Sequence, residues 1–392
     1  VRRINGTVQN YAWGSPTAIP GLLGIPVTGE PYAEYWLGAH PSAPSTVAGV
    51  PLDSLLNAEP DLLGPASLSK YGSYLPYLMK VLAADHPLSL QAHPDRTQAE
   101  AGFAREEAEG IPLTAFERTY RDNWPKPETL IALTEFHGLY GFRDPARTAE
   151  LFVRLGVDVD SVMGPLVQRR GSAALAEVFL DVLSLDGDRA DVVTEVLVAC
   201  RAHIGDGGEL GEFARTALEL DRSFPGDKGI LAAMLMNRFT LQPGEGIYLP
   251  PGNMHAYLRG VGVEVMANSD NVLRGGLTQK HIDVEQLLTV VDFRATDVPV
   301  MATTDLGQGV RRYEAGAKEF AVWSMATTST PAAVPGRGAR IVLVVAGNAM
   351  AVTATDEIPL RMGAAILVGD DEVVTLAGDG LAYVAGPGCT RD

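Results

Sequence analysis

The sequence predicts a mainly β protein with a helical insertion: two jelly-roll units, with an α-helical domain inserted between the strands of the first. Three observations predict it. Short apolar runs between Gly and Pro turns fill residues 1–95 and return after about 230. A block of 3.6-residue apolar periodicity occupies about 145–224. A second series of short strands joined by Gly and Asp turns follows residue 300 or so, the spacing of a sandwich or jelly roll. The expected division is 1–145 with 225–298 for the first β unit, 146–224 for the helices and 299–392 for the second β unit.

The first unit opens with runs such as Tyr35-Trp36-Leu37-Gly38-Ala39-His40 and Tyr74-Leu75-Pro76-Tyr77-Leu78-Met79. The stretch Leu88-Ser89-Leu90-Gln91-Ala92-His93-Pro94-Asp95 reads as the end of the strand that carries Leu78, Val81 and Leu82. Side chains alternate across a strand, so Ser89, Gln91 and His93 share one face and Leu88, Leu90 and Ala92 the other. Residues 97–123 mix Ala with Glu and predict a short helical lid. Glu128-Thr129-Leu130-Ile131-Ala132-Leu133 returns to strand chemistry.

In the insertion, Leu175, Val178, Phe179, Val182 and Leu183 form one apolar stripe. Val193, Val196, Leu197 and Cys200 continue it in a second helix, and Phe213, Ala217, Leu218 and Leu220 in a third; about four helices are expected. Cys200 reads as a buried helix residue. Strand chemistry resumes through Gly244-Glu245-Gly246-Ile247-Tyr248-Leu249-Pro250-Pro251-Gly252. The last unit contains Ile341-Val342-Leu343-Val344-Val345 and Ala364-Ala365-Ile366-Leu367-Val368. The last histidine of the chain is His281, so this unit has no imidazole for a metal and reads as structural or as a cover.

The 392 residues are 46% hydrophobic and 20% charged, the mix of a soluble globular protein long enough for two or three domains. A net charge of −17 argues against nucleic acid and anionic membranes as partners. Any site for an anionic substrate must then be a local basic pocket. Cys200 and Cys389 make no disulfide framework and no CxxC site, usage that fits a reducing, cytoplasmic compartment. The N-terminal residues lack the apolar core of a signal peptide, and no run approaches the ~20 apolar residues of a membrane span.

Four stretches carry chemistry. Gln91 and His93, two residues apart on one strand face, are placed as a β-barrel places metal ligands in its interior. Pro250-Pro251-Gly252-Asn253-Met254-His255 puts a histidine at a strand start after a proline-glycine turn. This resembles the second half of the cupin metal motif, although Arg259 stands where cupins usually carry Asn. Lys126-Pro127-Glu128 places a carboxylate at the start of an apolar run, and buried carboxylates are rare unless paired or metal-bound. Asn268-Ser269-Asp270-Asn271-Val272-Leu273-Arg274-Gly275-Gly276-Leu277-Thr278-Gln279-Lys280 reads as a flexible Gly-rich loop able to set Arg and Lys against an anion. Each has an ordinary alternative when taken alone: polar residues at a strand end, a plain hairpin, a salt-bridged strand start, a solvated charged loop.

Together they are specific. Along nearly its whole length the chain resembles the type I mannose-6-phosphate isomerase (phosphomannose isomerase) family. The matching stretches include Gln9-Asn10-Tyr11-Ala12-Trp13-Gly14-Ser15, Ala33 to His40, Lys80-Val81-Leu82, the Gln-x-His-Pro-Asp segment, Lys-Pro-Glu, Gly138 to Arg143, the turn before His255 and Ser269-Asp270-Asn271. The resemblance implies two cupin-type jelly rolls and one zinc ion held by Gln91, His93, Glu128 and His255. It implies Arg274 as the active-site arginine, with Asp270, Lys126 and Lys280 lining the pocket and Ser89 at the substrate. It implies a sugar phosphate as small-molecule partner, in a monomer or weak homo-oligomer. Departures are Trp124-Pro125 where the family often has His before Lys-Pro-Glu, Gly275-Gly276 in place of Ala-Gly, and Arg96 where lysine is common.

Two imidazoles, a carboxylate and an amide oxygen suit Zn²⁺. Interconverting mannose 6-phosphate and fructose 6-phosphate requires a proton shuttled between C1 and C2 through an enediol. Asp270 and Lys280 are both candidates for that shuttle, and the sequence does not choose. Another metal-dependent cupin enzyme, such as a dioxygenase, and a non-catalytic sugar-phosphate-binding cupin are the rivals. A glutamine ligand argues against the first and the complete ligand set with Arg274 against the second. His40, His86, His137, His203 and His281 are expected to be structural or surface residues.

Overall fold

The strand His255–Ala267 organises the first β unit. In the computed structural model, which describes residues 1–169 and 171–390, this strand takes part in two antiparallel arrays. Residues 260–267 lie between Tyr77–Ala84 and Glu128–Ala132. Its first residues lie between Phe136–Phe142 and the short strand Leu90–Ala92. The change of partners comes at Gly260, whose φ is +131°; a Cβ there would lie 2.8 Å from the Glu135 carbonyl. Glu34–Gly38 and Thr7–Gln9 extend the first array, and Leu273–Gly276 and Met236–Leu241 the second.

The second β unit stacks a four-stranded sheet on a seven-stranded one. The strand Arg340–Ala346 explains why its sequence is apolar throughout. Val342 and Val344 face the core between the two sheets, with Ile366, Val384 and Leu376. Ile341 and Leu343 face the opposite way, onto Met79, Val81, Val263 and Val265 of the first unit. A strand buried on both faces reads as a continuous hydrophobic run. The two units therefore share a core.

Helices Pro145–Leu155, Ser172–Leu183, Asp191–Ala202 and Gly208–Ser223 are the four long ones of the insertion. Their apolar faces join Leu90, Ala92, Leu139, Phe142 and Leu273 in one cluster, so the helices pack directly behind the sheet that bears the site. Cys200 is fully buried there. No described helix is long and apolar enough to cross a membrane.

Several expectations need correction. Residues 1–95 include the helices Ala18–Leu23, Leu52–Ala58 and Pro65–Tyr71, too short to show a periodicity. Leu90–Ala92 is a separate strand and not the end of Tyr77–Ala84, because the chain turns at 85–89 to reach the second array. The lid helix spans only Arg96–Ala108. An Asp95–Gln98 capping box starts it, and Gly110 at φ +73° with Pro112 beyond prevents its continuation. Helix also persists past 224, as the short buried helix Gly229–Met234. Finally Arg2–Ile4 pairs with Ala365–Val368, so the N-terminal residues belong to the second unit's sheet.

Candidate metal centre

Three chain segments deliver the candidate ligands, and main-chain pairing fixes their register. His255 stands directly opposite Gln91, and Gln91 opposite Arg274 on the next strand. Gly252, at φ +82° in the proline-glycine turn, donates its N–H to the His93 carbonyl at 2.8 Å. Glu128 starts its strand opposite Met266 on the far part of the long strand. The bend in that strand thus brings Glu128 over the two histidines.

The result is compact. His93 Nε2 lies 3.3 Å from Glu128 Oε1 and His255 Nε2 lies 3.4 Å from Glu128 Oε2. Both Nδ1 atoms meet main-chain carbonyls, His93 that of Asn271 at 2.8 Å and His255 that of Asn253 at 3.1 Å. Donation to those carbonyls places the proton on Nδ1 and leaves each Nε2 lone pair facing Glu128. His93 Nε2 is buried and has no aligned hydrogen-bond partner despite the near carboxylate. An orphaned buried nitrogen aimed at a carboxylate and a second imidazole fits a divalent metal such as zinc. Among the described residues this is the one group of His, Cys, Asp and Glu placed to hold a metal ion. Gln91 donates its amide nitrogen to Ser89 Oγ at 3.3 Å, which leaves its amide oxygen free as a ligand atom.

Burial is the largest influence on His93 and pushes its pKa down to about 4. Burial would raise Glu128, but the adjacent His93, Lys126 and His255 hold it well below the usual carboxylate range. Lys126 Nζ is 3.3 Å from Glu128 Oε1.

Gln91, Glu128 and His255 open onto a cavity of about 300 Å³, also lined by Lys126, Asp270, Arg274 and Lys280. Ser89 lines the adjoining cleft with Gln91, Arg274 and Lys280. All nine candidate residues therefore meet in or beside one pocket. One placement differs from expectation. Arg274 sits on the strand Leu273–Gly276, not in a flexible loop, because the glycines beside it allow close packing rather than freedom. His40, expected to be structural or at the surface, is buried: its Nε2 lies 3.3 Å from the Asp270 carboxylate and its Nδ1 2.7 Å from Ser42 Oγ. Burial would raise the Asp270 pKa, but His40, Lys126 and Arg121 hold it below its ordinary value.

Other residues of the pocket escaped the sequence reading. Lys80 lies buried between Glu34 at 3.4 Å and Glu264 at 3.3 Å. Burial pushes Glu264 up to about 7, with Lys80 opposing the shift. The Lys80-Val81-Leu82 match was the available signal; Glu264 looks like any alternating strand residue. Asp122 and Asn271 knot residues 121–124 to the Ser269–Asn271 segment, with Asp122 Oδ1 accepting from Ser269 Oγ at 2.8 Å. Two departures from the family pattern meet one another, since the Arg96 guanidinium stacks on the Trp124 ring at 3.9 Å.

Residues 1–145 match the family described as phosphomannose isomerase type I, catalytic domain. Over 389 residues the chain is 34% identical to the mannose-6-phosphate isomerase of Escherichia coli (strain K12), covering 97% of this chain and 98% of that one. The chain belongs to the mannose-6-phosphate isomerase family. The Rattus norvegicus member is 31% identical over 414 residues, covering 94% of this chain and 93% of its own. Among solved structures, a zinc-bound mannose 6-phosphate isomerase superposes with a TM-score of 0.90 at 33% identity, covering 98% of this chain and 99% of that one. A point variant of phosphomannose isomerase from Salmonella typhimurium gives a TM-score of 0.92 at 32% identity with the same coverage. The fold class expected from the sequence is that of these family structures.

Proposed function

We infer that the protein is a zinc-dependent aldose-ketose isomerase interconverting D-mannose 6-phosphate and D-fructose 6-phosphate. The observation that carries this reading is the buried His93–Glu128–His255 group, with both Nε2 atoms turned to one carboxylate, in a chain of this family. Gln91, His93, Glu128 and His255 would hold one zinc ion per chain. Bound there, zinc supplies electrophilic polarisation of a sugar oxygen and offsets its developing charge.

The rest falls to side chains. The shuttling group takes the proton from C2 of the aldose, and the C–H electron pair becomes a C1–C2 double bond. A proton is then returned to C1, O1 gains a proton, and O2 gives one up as C2 becomes the carbonyl. Asp270, ionised and steadied by His40, is one candidate shuttle. Lys280 is the other, its pKa drawn below the usual lysine value by burial and by Arg274 and Arg121. Arg274, whose main chain lies opposite Gln91, would donate to the oxyanion of the enediolate. Ser89, Lys126 and Lys280 complete the substrate pocket. A small-molecule sugar phosphate as partner, a monomeric or weakly oligomeric state and a cytoplasmic setting belong to the same reading.

A coupled assay on mannose 6-phosphate, with zinc measured on the same sample, tests it. Turnover with about one zinc per chain, abolished by chelation, is the expected result. Full activity after exhaustive demetallation, or none in zinc-loaded protein, would reject it.

A further inference from the structure

Most charges around the pocket are already paired. Lys80 lies between two glutamates, Lys126 lies on Glu128, and Asp270 on His40. Arg118 is held by Glu106 at 2.9 Å and Glu107 at 2.7 Å. Asp283 caps the helix Val284–Val290 by accepting from the Gln286 N–H. Arg121, Arg274 and Lys280 make no ion pair with any described residue. All three line the metal pocket and also a chamber of about 200 Å³ that adjoins it between residues 114–121 and 272–283. They are close enough to repel: beyond the effect of burial, Arg121 lowers the pKa of Arg274, and both lower that of Lys280. Three converging cations with no ion pair of their own, in a chain of net charge −17, fit an anion that carries more than one negative charge.

Of the three, Arg274 is tied to the metal side by its register opposite Gln91. Arg121 lines the same pocket from an irregular segment with no strand or helix to fix it. Asn271 fixes it instead. The side chain of Asn271 is wholly buried, and its Oδ1 accepts from the N–H groups of Arg121 at 2.7 Å and Asp122 at 3.2 Å. Its Nδ2 donates to the carbonyls of Asp122 at 2.8 Å and Trp124 at 2.9 Å. The carbonyl of the same residue holds His93.

We propose that Arg121, together with Lys280, grips the phosphate of the substrate, and that Asn271 is the positioning residue that sets Arg121 there. The proposal rests on the isomerase reading for its substrate, and it leaves Arg274 free for the reacting end of the sugar. A phosphate held equally in ground and transition states affects KM and not kcat.

The test uses zinc-loaded full-length protein, with mannose 6-phosphate as substrate and inorganic phosphate as a dead-end probe. Arg121→Gln should raise KM about tenfold or more, the loss expected for one charge-assisted contact, and weaken inorganic phosphate by a similar factor. Its kcat should stay within about threefold and its zinc content unchanged. Asn271→Asp keeps every cation but sets a carboxylate oxygen against the acceptors of Asp122 and Trp124. It should raise KM and the phosphate inhibition constant together. Asp122→Ala removes the same clip from the other side and reads the same way if Asn271→Asp does not fold. Values for Arg121→Gln within about twofold of the parent overturn the grip; a clip variant that moves only the melting temperature overturns the positioning role. Calorimetric titration of inorganic phosphate requires no turnover. Weakened phosphate binding by Arg121→Gln in a protein that does not isomerise mannose 6-phosphate would therefore reject the isomerase reading and leave the grip standing.

Discussion

His93 shows how one residue couples stability to metal readiness. An unfolded imidazole takes up a proton near pH 6.5, whereas the buried His93 resists until about 4. The folded pKa is the lower one, so the contribution to stability is fully present above the unfolded value and is lost as pH falls toward about 4. Urea unfolding of metal-free protein should therefore show stability falling between pH 7 and 5, by at most about 1.4 kcal/mol per pH unit from this group. His93→Asn should lose that part of the slope; an unchanged slope would show that His93 is not held neutral. Arg274 makes a different demand. A guanidinium cannot serve as the proton shuttle at neutral pH, so its use is as fixed charge and donor. Arg274→Ala should keep fold and zinc while kcat falls by roughly 10²-fold or more, the scale of a lost oxyanion donor. Near-normal kcat with a much raised KM would instead assign Arg274 to the phosphate.

The strand that carries Arg274 owes its place to what its glycines lack. Gly276 has φ +136°, and a Cβ there would lie 2.8 Å from the Cα of Gly229 at the start of the helix Gly229–Met234. A Cβ on Gly275 would meet Met254 Cε at 2.8 Å and Phe179 Cζ at 3.0 Å. The element is wedged between the insertion helices and the metal-bearing strands, and this rigidity holds Arg274 in register with Gln91. Gly276→Ala should cost about 1–3 kcal/mol from backbone strain and crowding, read from denaturant midpoints. It should also depress kcat while leaving zinc bound, because the displaced residue is Arg274 and not a ligand. Unaltered stability would mean that the close approach is not a constraint.

At the scale of the whole molecule, the second β unit has no part in the candidate metal site, yet it is not a separable module. Phe320, Val322, Ile341 and Leu343 share one core with Leu37, Met79 and Val263 of the first unit. Tyr77, fully buried, donates its hydroxyl across that boundary to the carbonyls of Ala339 at 2.9 Å and Ala385 at 3.0 Å. Tyr77→Phe should lower stability by about 1–3 kcal/mol, the cost of buried acceptors left without their donor. Zinc stoichiometry should be unchanged, and the unfolding transition should remain single. Two resolved calorimetric transitions in the parent protein would contradict the shared core.

The sequence by itself determined the fold class, the family and the candidate ligands. Those features are written locally: an alternation of period two around Gln91 and His93, a proline-glycine turn ahead of His255, a carboxylate heading an apolar run at Glu128, helical stripes through 175–220. Only the tertiary structure decided which polar residues answer one another. His40 finds Asp270, Lys80 finds Glu34 and Glu264, Arg96 finds Trp124, and Asn271 binds residues 121–124 to His93. Their partners lie far apart in the chain, and nothing in local spacing encodes the bend at Gly260 that brings two arrays of strands to one pocket. The same reason hid the N-terminal strand Arg2–Ile4, too short to carry a pattern and paired with a strand near the other end of the chain. Periodicity and turn chemistry are properties of neighbouring residues, whereas burial and charge pairing are settled only when distant segments close over each other.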